Sequence, residues 1–266
     1  MSKNTSLTLL YCFDNQLTSL DISKNTGLTS LYCVSNPLTS LDISRNPHLL
    51  EAYIKGEKQE DGIYTMYSVS GKYLYVDPDV KIKCLSLSAQ PKSQTAAAGK
   101  TATFSVEADG YELQYQWYGQ KKGESAWIEL TGETKQELTF TATKEMDGGR
   151  FKCRVYCEGV RETFEQESDA ATLTIVSKPK ITAQPKAASV KAGKKVTFKV
   201  KASGGSLTYQ WYRLKPGAKK WEKINKATKA SYSFKAAKKW TGYKYKCLVK
   251  NKAGKVYTKA VKLTVK

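Results

Sequence analysis

Chemistry at neutral pH draws on imidazole, reactive thiols and converging carboxylates, and this chain of 266 residues is poor in the first. It carries one histidine, His48, with six cysteines and 24 acidic against 44 basic residues. A single imidazole argues against Ser/His or Cys/His nucleophile pairs and His-ligated metals. Asp21 and Asp42 are the most obvious paired carboxylates, but they recur at a fixed interval of 21 residues, as members of a structural ladder do. Neither a phosphate-binding loop nor a metal-ligand spacing is present. The expectation is a protein that is not an enzyme and takes no metal or cofactor.

What positions these residues is a repeat. At a shift of 21, Leu7 aligns with Leu28 and Leu49, Leu10 with Leu31 and Ala52, and Cys12 with Cys33 and Ile54. Asn15 aligns with Asn36, Leu17 with Leu38, Ile22 with Ile43 and Asn25 with Asn46. A constant period with leucines and a recurrent Asn at these offsets predicts a solenoid whose coils bury apolar residues against their neighbours. The four asparagines are expected as buried ladders satisfying backbone groups at the turns. Cys12 and Cys33 read as small inward filler in a stacked column, with a disulfide as the alternative. Tyr11, Tyr32 and Tyr53 share one position and alternate with inward residues, which predicts an exposed aromatic stripe. Such a stripe serves equally to bind protein or glycan or to shield the sheet. After Ile54 the period ends, and 62–67 and 72–76 are expected as two strands of a cap joined at Ser70-Gly71.

The unit L-x-x-L-x-C-x-x-N-x-L-x-x-L-D-I-S-x-N resembles the 21-residue leucine-rich repeats of internalin-like bacterial surface proteins. That resemblance implies a surface-displayed or secreted adhesion protein. The segment from Ser2 matches the one from Ser23, so the chain is expected to enter in mid-unit from a longer array. Met1 to Phe13 fails as a signal peptide because its pattern returns at Leu28 to Val34, and an export signal is expected upstream. No run approaches the roughly 20 apolar residues of a membrane span.

A second repeat occupies 85–266. At a shift of 94, Phe104 aligns with Phe198, Val106 with Val200, Tyr115-Gln116-Trp117-Tyr118 with Tyr209-Gln210-Trp211-Tyr212, Trp127 with Trp221 and Cys153 with Cys247. Later Leu173 aligns with Leu263, so the first copy holds four extra residues after Val155. Short alternating strands broken by turn residues predict an antiparallel sandwich in each copy. The core Trp followed by Gly-x-Phe/Tyr-x-Cys resembles the immunoglobulin pattern, with Phe151 and Tyr245 at its corner-tyrosine position and Val106 and Val200 replacing its partner Cys. The expected fold is therefore mainly β: a short leucine-rich-repeat solenoid with its cap (1–84), then two tandem immunoglobulin-like sandwiches (85–177 and 178–266).

Cys84 and Cys157 are present in the first copy, whereas Lys178 and Asn251 stand at their places in the second. In such a sandwich the first strand begins where the sixth ends, so a disulfide between Cys84 and Cys157 and an oxidising compartment are expected.

Net charge is −1 over 1–84, −4 over 85–177 and +25 over 178–266. The last segment holds 25 lysines, one arginine, Arg213, and one acid, Glu222. A merely solvated lysine surface is one reading of this excess; the other is that +25 is self-repulsion that a polyanion would relieve. Lys199 and Lys201 are expected outward on one sheet, and Lys244, Lys246, Lys250 and Lys262 outward on the other. With one arginine, bidentate base reading is nearly absent, which argues against sequence-specific nucleic-acid binding. The expected partners are a protein or glycan on the repeats, and an anionic envelope polymer or sulfated glycan on 178–266. The alternative is a spacer whose active domain lies upstream.

Overall fold

The computed structural model describes residues 4–266. Met1–Lys3, on which the mid-unit start partly rests, lie outside the described residues. The chain is mainly β with tandem immunoglobulin-like sandwiches, and among the described residues it has one α-helix, Pro47–Lys55. It divides into two compact units, Met1–Ser93 with Thr103–Leu138 and Arg150–Thr172, and Gln94–Ala102 with Thr139–Gly149 and Leu173–Lys266.

In the first unit the period of 21 becomes parallel strand pairing. Leu9–Tyr11 lies beside Ser30–Tyr32 with Leu10 opposite Leu31 and Tyr11 opposite Tyr32. Ile22, Leu28, Leu31, Leu41, Ile43 and Leu49 are buried in one apolar cluster. Asn46 donates from Nδ2 to the Asn25 carbonyl (2.9 Å) and Asn36 to the Cys12 carbonyl (2.9 Å), and both side chains are buried with Asn25. Asn15 departs from the expectation: it is exposed and bonds the nearby carbonyls of Cys12 and Phe13, because its coil carries the edge strand of the sheet.

The third pass of the repeat is not a strand. Pro47, at the start of the helix, has a φ suited to the first helical turn and lacks only an N–H that the turn leaves unpaired. Leu49, Leu50, Ala52 and Ile54 then bury one helical face. The strand that continues the sheet comes instead from the cap. Lys72–Val76 pairs in parallel with Ser30–Tyr32, placing Leu74 opposite Leu31 and Tyr75 opposite Tyr32. It also forms a hairpin with Thr65–Val69 through Ser70 and Gly71, both at positive φ (48° and 77°), the geometry of a two-residue turn that matches strand twist.

Each sandwich centres on a tryptophan opposite a cysteine: Trp117 on Cys153 between Gln114–Gln120 and Arg150–Glu158, and Trp211 on Cys247 between Thr208–Leu214 and Lys244–Asn251. Both indoles are fully buried, and each Nε1 donates to a carbonyl, of Lys135 (2.8 Å) and Lys229 (3.0 Å). Val106 and Val200 are buried as apolar substitutes for the missing cysteines. At the corner position Phe151 stacks on Phe104 and Tyr245 on Phe198, with ring centroids 4.9 and 4.7 Å apart.

The four extra residues of the first copy lengthen the hairpin between Arg150–Glu158 and Thr163–Glu167. Its tip reaches the helix and cap of the same unit. The Val160 amide donates to the Ile54 carbonyl (3.1 Å), and Arg161 donates to the Gly56 carbonyl (2.6 Å) with its guanidinium over the rings of Tyr67 (5.0 Å) and Tyr53 (5.7 Å). In the second copy the shorter turn leaves Asn251 at the place of Cys157. Its Nδ2 donates to the carbonyls of Ser177, Gly204 and Gly205 (2.7, 2.9 and 3.0 Å). No helix among the described residues is long and apolar enough to cross a membrane.

Candidate functional site

Three constellations carry chemistry. The first is a ladder of rings on the outer face of the parallel sheet. Tyr11 and Tyr32 lie 4.5 Å apart between ring centroids, and Tyr32 and Tyr75 4.4 Å apart and nearly parallel, close to the strand separation itself. Tyr64 and Tyr73 pack against Tyr75 at 5.5 and 6.5 Å, and Phe13 meets Tyr11 edge-on. Tyr11 is 58% exposed and Phe13 47%. Partial burial and the neighbouring hydroxyls of Tyr75 and Tyr11 raise the Tyr32 phenol.

Tyr53, expected in this row, is elsewhere. Its helix turns it into the junction with the hairpin tip, where it packs on Tyr67 (4.7 Å) and Phe164 (5.6 Å), and burial pushes its phenol up to about 12. Tyr75 takes the third place in the ladder. The dipeptide Leu-Tyr at 10–11, 31–32 and 74–75 is the sequence signal for this, and Ala52-Tyr53 breaks it.

The second constellation is a thiol pair in the first unit. Cys84 and Cys157 are buried in one apolar cluster. The contact with Cys157 and burial raise the Cys84 thiol well above its ordinary range. The expected juxtaposition is present in that shared cluster. Burial pushes the Cys33 and Cys153 thiols up to about 12, a change that suppresses thiolate reactivity. Among the described residues no three His, Cys, Asp or Glu side chains are grouped to hold a metal ion.

The third is the cationic surface of 178–266. Lys199, Lys201, Lys244, Lys250 and Lys262 are exposed, and Lys246 is half-buried. Glu222 is taken by Arg213 (2.9 Å), and among the described residues no lysine of this segment lies in an ion pair. Three lysine pairs stand directly opposite one another across strands: Lys195 and Lys235, Lys244 and Lys262, and Lys250 and Lys255. Like charges so placed destabilise a sheet.

Comparison with known proteins bears mainly on the sandwiches. A family model described as an immunoglobulin domain matches residues 178–251. Endoglucanase C of Cellulomonas fimi is 27% identical over 178 residues, which are 66% of this chain and 16% of that protein. The chain thus corresponds to a small part of that relative. Among solved structures, Sidekick-1 immunoglobulin domains 1–4 superpose with a TM-score of 0.41 at 19% identity, covering 76% of this chain and 57% of that one. Extracellular domains 3–5 of Drosophila OTK give a TM-score of 0.39 at 17% identity, covering 76% and 70%.

Proposed function

We propose that this chain is a non-catalytic binding portion of a secreted or surface-displayed bacterial protein, built as three modules. Residues 1–84 are leucine-rich repeats of the internalin-like kind with their cap, and present the Tyr11–Tyr32–Tyr75 ladder to a protein or glycan ligand. Residues 85–177 space that module. Residues 178–266 attach to an anionic polymer or sulfated glycan of the cell envelope.

The observation that carries the attachment is the confinement of unpaired charge. A segment with 25 lysines whose only acid is bound to its only arginine gains free energy when a polyanion exchanges condensed counterions for lysines. The partial match to an endoglucanase supports a polysaccharide-rich extracellular setting. The parallel pairing at an offset of 21 and the buried Asn ladder support the repeat assignment. The spacer reading has its own support in the Val160 and Arg161 contacts, which fasten the first sandwich to the cap. Retention of the whole chain on immobilised lipoteichoic acid tests attachment. Elution between about 50 and 200 mM salt is expected, and flow-through at low salt contradicts the reading.

A further inference from the structure

The two sandwiches provide an internal comparison at one place on the same sheet. In the first, the outward row of Arg150–Glu158 is neutralised by the next strand: Lys152 pairs with Glu167 (2.7 Å) and Arg154 with Glu165. Lys152 also lies over Trp127, at 4.8 Å. In the second sandwich the equivalent lysine, Lys246, again lies over the equivalent indole, Trp221, at 4.3 Å. The positions of Glu165 and Glu167, however, are held by Lys255 and Tyr257. Lys246 therefore lies over two rings, Trp221 and Tyr257 (4.5 Å), and has no carboxylate. Tyr212 joins the group at 6.2 Å from Tyr257, which is 45% exposed. The same face carries the opposed pairs Lys250/Lys255 and Lys244/Lys262.

We infer that this face of the second sandwich, with Lys246 at its centre beside Trp221 and Tyr257, is a binding site for an acidic polysaccharide. The inference deepens the attachment proposed above and rests on it. Ring faces stack on the C–H face of a pyranose, and the surrounding ammonium groups meet its carboxylates or sulfates as point charges. Phosphate or base recognition of the bidentate kind would need arginine forks, and the segment's one arginine is bound to Glu222. The other sheet shares the lysines, including the opposed Lys195 and Lys235, but in the outward row of Lys195–Lys199 only Thr197 lies between them, facing Ser233.

The test uses the full chain, with polygalacturonate, single-stranded DNA and a neutral glucan as probes. Lys255→Glu with Tyr257→Glu installs the first sandwich's own arrangement, which that fold accommodates. It is expected to weaken polygalacturonate binding at least about tenfold, whereas Lys195→Glu with Lys199→Glu weakens it less than about threefold. Trp221→Ala is expected to weaken binding while leaving its salt dependence unchanged, because stacking releases no counterions. Should the double variants fail to fold, Lys246→Gln gives the same comparison. Equal losses from both sheets would overturn the site and leave the attachment standing. Tighter binding of DNA than of polygalacturonate would overturn the ligand class. Failure of the unaltered chain to bind any anionic probe would overturn both readings.

Discussion

Cys84 and Cys157 lie buried in one apolar cluster of the first unit, one just after the strand Lys81–Lys83 of the cap, the other near the end of a sandwich strand. The same position in the second sandwich holds Asn251, which ties the preceding Ser177 to the Gly204-Gly205 turn. One site in the fold thus fastens whatever precedes the sandwich, by apolar burial and sulfur in one copy and by an amide in the other.

Mild oxidation is expected to join Cys84 to Cys157 and leave the other four cysteines reduced, so titratable thiols fall from six to four in the unfolded protein. The bond closes a long loop and should stabilise the first unit by about 2–4 kcal/mol. Peptide mapping after alkylation checks the pairing; a disulfide involving Cys33 or Cys153 would refute it.

Arg161→Ala removes both the donor to the Gly56 carbonyl and the cation over Tyr53 and Tyr67. A loss of about 1–3 kcal/mol in the first unit is expected. Chemical denaturation followed by aromatic fluorescence measures it. A change confined to a few tenths of a kcal/mol would show that the hairpin tip merely touches the cap.

The ladder gives a graded series. Tyr32, flanked on both faces, should cost about 2–3 kcal/mol when changed to Ala, while the exposed Tyr11 should cost less than about 1 kcal/mol. Melting temperatures of the two variants provide the comparison, and a larger loss at Tyr11 would contradict the stacking order.

How much of this was legible in the sequence is clearest at the tyrosines. Tyr11 and Tyr32 follow from the period, because residues sharing a repeat position share a face. Tyr53 does not, because Pro47 and a helical spacing of apolar residues override the period once no further coil repeats it. Tyr75 carries a local signal, the Leu-Tyr pair, but its place beside Tyr32 depends on a hairpin joining the sheet in parallel, a long-range pairing that local pattern does not specify. That Cys84 and Cys157 share one buried cluster was readable from the two copies because both cysteines vanish together. The lysines were readable as outward from strand alternation, whereas the two rings beside Lys246 were not: Trp221 and Tyr257 are far apart in the chain.

Stability should fall at alkaline pH. Burial raises the folded-state values of Cys33 and Cys153 from 9.0 to about 12 and that of Cys247 to about 11. For an acid held neutral in the fold, the unfolded chain ionises first, so stability is intact below about pH 9 and is lost as pH rises toward the folded value. Melting temperatures between pH 8 and 11 should decline, and Cys33→Ala should flatten part of the slope.

Lysine footprinting of the whole chain, with and without an anionic polysaccharide, tests polymer attachment most directly. Acylation should be suppressed at Lys244, Lys246, Lys250, Lys255 and Lys262 while Lys92, Lys100, Lys121 and Lys122 react as before. Equal protection along the whole chain, or protection confined to residues before 178, would contradict it.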